Sequence, residues 1–156
     1  MKRLTIIVLG VLAGVLLVTS GAFAQDYLEL LRSDLRTLKT AIVTEAMQLS
    51  SEDSESFWPV YREYEAALAA NYDRRIALIR DYAQNFETMS DPKARELALD
   101  AMGIDIARSR LLRKYYYEVE RATSSVVAAR FVQVERQIGL LIDLQIAAEL
   151  PLIQKP

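Results

Sequence analysis

Between Phe57 and Phe86 the chain keeps one helical seam. Phe57, Tyr61, Tyr64, Leu68, Tyr72, Arg75, Ile79, Tyr82 and Phe86 follow at steps of 4, 3, 4, 4, 3, 4, 3 and 4. Steps of three and four return a side chain to one face of an α-helix, and no stretch shows the period-two alternation of a strand. If unbroken, the seam predicts a helix of about 35 residues, roughly 50 Å long. Pro59 lies inside it. Proline removes a backbone donor and crowds the carbonyl four residues back, here that of Glu55, so a kink or break is expected in the first turns.

The rest of the chain has the same character. Glycine occurs five times, and Gly10, Gly14 and Gly21 all fall in the first stretch, leaving Gly103 and Gly139 inside helical patterns. Pro92, Pro151 and Pro156 mark edges. So few breakers predict long helices and short loops. Segment one runs from about Tyr27 to Met47, with Leu28, Leu31, Leu35, Leu38, Ile42 and Met47 on its stripe. Segment two starts at Ser50, where Ser50-Ser51-Glu52-Asp53 places a hydroxyl at the N-cap and a carboxylate three residues on, a capping-box pattern with Asp for Glu or Gln. After the turn Thr88-Met89-Ser90-Asp91-Pro92, with Asp91 as the expected N-cap, segment three carries Ala94, Leu97, Ala101, Ile104, Leu111, Tyr115 and Val119. Thr123-Ser124-Ser125 is a second cap cluster. Segment four runs to about Leu150 with Val127, Phe131, Val134, Ile138, Leu141, Ile142 and Gln145 on one side.

The expected fold is therefore all-α: a long antiparallel helical hairpin of segments two and three, flanked by N- and C-terminal helices, in an elongated dimer. A bend near Ser90 sets Tyr64 near Tyr116, Tyr61 near Val119 and Arg75 near Asp105, to within about one turn.

The N-terminus predicts the compartment. Lys2 and Arg3 precede an apolar run from Leu4 to Val18, and Ala22-Phe23-Ala24 places small residues where a signal peptidase reads them. Residues 1–24 are expected to be a cleaved signal peptide, with Ala22 and Ala24 the cleavage residues, and residues 25–156 a single all-helical periplasmic domain. The alternative, a retained anchor, needs a span of roughly 20 apolar residues. The mature chain would have 132 residues and a net charge of −4, with 17 basic against 21 acidic side chains. Nothing in that balance predicts a nucleic-acid partner, and no stable membrane span is expected after cleavage.

Cysteine and histidine are both absent. No disulfide can brace the fold, no zinc-type ligand set is available, and neither Ser-His nor Cys-His catalysis can be assembled. Asp100 with Asp105, and Glu118 with Glu120, lack the spacing that puts two carboxylates on one helix face. No enzyme activity, metal or cofactor is expected. The run Arg108, Arg110, Arg113 and Lys114 reads as a solvated face neutralised by Glu65, Asp73 and Glu118. Gln133, Glu135, Arg136 and Gln145 read as the wetted edge of segment four.

Aromatic side chains are the candidate contact surface. Phe57, Tyr61 and Tyr64 suit the core. Neighbours on a helix are about 100° apart, so Tyr115, Tyr116 and Tyr117 cannot all face one seam. Trp58, Tyr72, Tyr115, Tyr116 and Tyr117 are the candidate client or partner residues, Ser50 and Asp53 the capping motif, and Pro59 the kink.

Leu49-Ser50-Ser51-Glu52-Asp53 resembles the L-T-x-x-Q motif of the periplasmic Spy/CpxP group of stress chaperones and regulators, with Ser for Thr and Asp for Gln. Phe57-Trp58-Pro59-Val60-Tyr61-x-x-Tyr64, Arg75-x-Ala77-Leu78-Ile79-x-x-Tyr82, Ala129-Arg130-Phe131-x-Gln133-x-Glu135 and Ala147-Ala148-Glu149-Leu150-Pro151-Leu152 resemble uncharacterised exported proteobacterial proteins similar to that group. The resemblance covers about Leu31 to Ile153. It implies a periplasmic, dimeric helical hairpin that holds apolar segments of unfolded or envelope proteins without ATP. A regulatory partner of an envelope sensor domain and a structural envelope-associated protein are the alternatives.

Overall fold

The computed structural model describes residues 38–153, and the predicted signal peptide, Ala22 and Ala24 included, lies outside them. The chain divides into two units, residues 1–42 and residues 43–156. Among the described residues every regular element is helical: α1 (residues 38–47), α2 (Ser51–Asn85), a 3-10 turn (Phe86–Thr88), α3 (Asp91–Ala122) and α4 (Ser125–Glu149).

The starts of the long helices are written in their caps. Ser50 is the N-cap of α2, its Oγ accepting from Asp53 N at 3.1 Å and donating to Asp53 Oδ2 at 2.8 Å. Carboxylates at Glu52 and Asp53 also face the positive end of the helix dipole. Ser90, not Asp91, caps α3 by accepting from Lys93 N at 3.4 Å, which puts Pro92 one place deeper in the first turn. Both positions leave proline's missing donor among the unpaired N–H groups. Ser124 caps α4 through Val127 N. Ahead of α2, Gln48 takes φ 48°, a left-handed conformation that a residue with a Cβ adopts at a cost.

Pro59 does not break α2, which is one helix of 35 residues. Proline is tolerated best near a helix start, and Pro59 is exposed there, so water can reach the carbonyl it leaves unpaired.

α2 and α3 form the antiparallel hairpin. Tyr64 meets Tyr115 with ring centroids 5.4 Å apart, and Asn71 Nδ2 donates to Ile104 O at 3.0 Å. These pairs keep the expected register within one turn, with Tyr115 in the place expected of Tyr116. The bend is stitched by Lys93, whose Nζ donates to Asp81 Oδ2 at 2.7 Å, while Asn85 Nδ2 donates to Asp81 Oδ1 at 2.8 Å. α4 returns along α3 and runs parallel to α2: Phe57 lies beside Phe131, Arg75 beside Asp143, and Tyr82 donates to Pro151 O at 2.6 Å.

The core gathers where the three helices and the end of α1 converge. Val43, Met47, Phe57, Tyr61, Leu68, Val119, Ala128 and Phe131 are essentially sealed from solvent. Phe57, Tyr61, Tyr64 and Phe131 meet mostly edge to face, the arrangement ring quadrupoles favour. Two stripes differ from the sequence expectation. In α1 the buried positions are Val43 and Met47, while Leu38 and Ile42 are exposed. In α4, Ala128, Phe131, Val134 and Glu135 turn inward, and Leu141 is 68% exposed.

Phe131 is shared by rings from α2 and lies beside α3's Tyr115 through Tyr64. Phe131→Ala is expected to lower unfolding stability by about 3–5 kcal/mol, read from urea denaturation followed by circular dichroism. A loss under about 1 kcal/mol would mean that this centre does not organise the fold.

Candidate functional site

Two carboxylates of α4 reach the hairpin. Glu135 is 7% exposed, and its oxygens accept from Tyr61 Oη at 3.1 Å and Tyr64 Oη at 2.8 Å. The two tyrosines stand three residues apart on one face of α2, so one carboxylate can serve both. Burial, and next the adjacent Glu135 charge, push both phenols far above the ordinary tyrosine range. Glu135 is thus a buried anchor, not the wetted edge residue expected. The stripe pattern gave no sign of it, because the partners lie more than 70 positions away.

Two turns on, Asp143 sits between two guanidinium groups. Arg75 Nη1 donates to Oδ1 at 2.5 Å, and Arg108 donates from Nη1 and Nη2 to both oxygens at 3.2 and 2.7 Å. Burial pushes the Asp143 pKa up, but the hydrogen bonds and charges of Arg108 and Arg75 outweigh it and hold the carboxyl below the usual range. The Arg108 pKa is raised, first by that hydrogen bond. Arg75 therefore meets Asp143 instead of Asp105: the seam position left polar in α2 faces the third helix. Arg108 likewise leaves the basic face expected of it. Of that run, Lys114 lies 4.9 Å from the centre of the Tyr115 ring, while Glu118 pairs with Arg121.

Between the anchors is a small cleft of about 200 Å³, bordered by Tyr72, Asp105, Arg108, Arg136, Gly139 and Leu140. A second, shallower hollow of about 660 Å³ opens between Ala46 and the outer side of α4 at Val126, Arg130, Gln133 and Gln137. Arg130 Nε donates to Ala46 O at 2.8 Å and so satisfies a carbonyl at the end of α1. Among the described residues no three acidic side chains stand close enough to hold a metal ion.

The candidate contact aromatics divide. Tyr115 is core. Trp58 is half-buried, donates from Nε1 to Ser54 Oγ at 3.0 Å, and stacks edge-on to Phe57 and Tyr61. Tyr72 and Tyr116 are half-buried; Tyr116 donates to Glu120 Oε1 at 2.8 Å, which raises its pKa. Tyr117 alone of the five is exposed, at 47%.

No protein-family model, curated protein or solved structure matches the chain.

Larger apolar side chains face water elsewhere. On α3, Leu99, Met102 and Ile106 follow at steps of three and four and are each half exposed, at 51–53%. The same row continues through Arg110 and Arg113 to Tyr117. On α4, Leu140, Leu141 and Leu144 are 64–69% exposed. Arg108 contacts Asp143 and borders Gly139, so Ile106, Met102 and Leu99 fall level with the α4 stretch from Leu141 onward. Exposed apolar side chains thus stand on both of these neighbouring antiparallel helices, with Ile106 near the height of Leu141 and Leu144. Seams predict which residues are apolar, but α4 is apolar on two faces, and only the docking of the helix decides which turns out.

Removing the Asp143 charge tests the outer anchor. A carboxyl with a depressed native pKa contributes stability that is complete above its ordinary value of about 4 and is lost as pH falls through the lower native value. Asp143→Asn is expected to unfold at lower urea than wild type at pH 7, with the gap closing as pH falls from about 5 toward 2. A gap independent of pH would show that the two arginines do not hold the charged form.

Proposed function

We propose that the chain is an exported, non-enzymatic holding protein of the periplasm that carries apolar segments of unfolded or envelope proteins without ATP. The observation that carries this reading is the exposure of Leu99, Met102 and Ile106 on α3 and of Leu140, Leu141 and Leu144 on α4. Several side chains of this size facing water on neighbouring helices are a feature of surfaces that meet another molecule. An unfolded segment gives them apolar contact without demanding one sequence, and Met102 adds a side chain that fits irregular shapes. Tyr117, further along the α3 row, can extend the same surface past Arg110 and Arg113.

Support also comes from what the aromatics do instead. Trp58, Tyr72 and Tyr115 are taken up by packing, so the surface consists of leucine, methionine and isoleucine on rigid helices. Among the described residues no helix is long and apolar enough to cross a membrane. The signal-peptide pattern of residues 1–24 and the resemblance to periplasmic stress chaperones support a periplasmic compartment.

The test is suppression of aggregation of a model protein as it unfolds, without ATP. Near-stoichiometric suppression is expected from the purified exported chain. Met102→Glu combined with Leu144→Glu should remove most of it and leave the helical circular dichroism unchanged, because both side chains face water. A folded chain that suppresses nothing, or a double variant as active as wild type, would sink the reading.

A further inference from the structure

The back of α3 carries a row that the fold leaves open. Arg95, Leu99, Met102, Ile106, Arg110, Arg113 and Tyr117 follow at steps of 4, 3, 4, 4, 3 and 4, and every one of them is exposed. Such steps keep to one face of a helix, here for about 33 Å. The buried residues Leu97, Ile104, Tyr115 and Val119 each stand two positions from a member of the row, about 200° round the helix. The row is therefore the side of α3 turned directly away from the core.

Its charge has one sign. Arginines bracket the apolar trio, one turn before Leu99 and one and two turns after Ile106. The sequence pattern set Glu65, Asp73 and Glu118 against this basic run, but Glu118 pairs with Arg121. Among the described residues no ion pair engages Arg95, Arg110 or Arg113. No carboxylate stands three or four positions from Arg110 or Arg113, the separations at which a helix would supply one. Two acids that flank the row are occupied: Glu96 takes Lys93, and Glu120 accepts from Tyr116 and Ser125. In a chain of net charge −2 this uncompensated basic row is a local exception.

We infer that the row is a contact surface for a lipid bilayer with anionic headgroups, on which α3 lies along its length. Charge complementarity selects the occupant. Lipid phosphates supply negative charge at both ends of the row at once. Between them Leu99, Met102 and Ile106 dip toward the acyl boundary, as the apolar face of an interfacial helix does. Arginine lays its stem along apolar surface while its guanidinium reaches phosphate. Tyr117 adds a ring with a polar tip, a side chain that favours the membrane–water boundary. Shape agrees with charge. A ridge on the back of a helix offers a peptide no groove, and both hollows of the fold border α4, whereas a fluid bilayer closes over a ridge. So small an apolar contact makes the attachment reversible. Bilayer and client share Leu99, Met102 and Ile106, and the arginines tell them apart.

The purified exported chain is floated with vesicles of phosphatidylcholine alone, or of equal parts phosphatidylcholine and phosphatidylglycerol. Binding to the anionic vesicles is expected, weakening as salt rises, and about tenfold or more above that to phosphatidylcholine alone. Arg110→Glu with Arg113→Glu should weaken it by about tenfold or more, whereas Arg110→Lys with Arg113→Lys should keep it. Leu144→Glu, on α4, should leave it unchanged. All of these side chains face water, so the helical circular dichroism should not move. Equal binding to the two kinds of vesicle, binding indifferent to the charge reversal, or no binding at all would overturn the inference. In the last case, capture of polyglutamate through the same two arginines would assign the row to an acidic protein segment. Aggregation suppression is read without lipid, so failure here leaves the holding role standing.

Discussion

The position of the third long helix depends on a carboxylate held by two phenols. Apolar faces attract without direction, so α4 could slide along the hairpin and still bury much the same area. Glu135 removes that freedom. Withdrawn from water, it needs donors, and Tyr61 and Tyr64 offer them at one height on α2. Any shift by a turn would leave a buried charge unpaired, at a cost of several kcal/mol. Asp143, about 12 Å further along α4, repeats the arrangement with Arg75 and Arg108. Two fixed points set both the height and the tilt of a helix, whereas one would leave it able to pivot.

The hairpin was largely legible in the sequence, because its logic is local. The Ser50 cap, the turn near Ser90 and the run from Phe57 to Leu68 follow from spacing alone, the α3 cap falling one residue before the expected Asp91, and Tyr61, Tyr64, Leu97, Ile104 and Val119 are buried where the seams put them. The long-range polar contacts were not legible. Arg75 stood in an apolar seam, and hairpin register looks for its partner on the facing helix, which suggested Asp105. The true partner belongs to a helix whose rotation no pairwise register fixes. Glu135 was hidden for the same reason: beside Gln133 and Arg136 it has the composition of a solvated edge. Leu141 was misplaced because α4 offers an apolar side chain at nearly every angle, leaving its stripe direction undetermined until the anchors are known.

That excess of leucine connects packing with the proposed role. α2 and α3 are amphipathic in the ordinary sense over most of their length. α4 uses Phe131, Val134 and Ile138 on its inner side and still presents Leu140, Leu141 and Leu144 outward. A helix apolar on both sides is normally enclosed. Here its charged anchor at Asp143 holds the inner side closed, so the outer side stays presented on a firm backbone. The proposed contact surface and the core are separated by the thickness of one helix.

The parallel course of α2 and α4 has a consequence in time. Antiparallel neighbours joined by a short bend close small loops and can form early, as α2 with α3 and α3 with α4 do. The contacts of Glu135 with Tyr61 and Tyr64 must instead wait until the whole of α3 has been laid down between them, a separation of more than 70 residues. A chain delivered amino end first therefore completes its hairpin before its last helix arrives. Until it does, the tyrosine face of α2 stands open, and final locking is a step of docking and desolvation of a single glutamate.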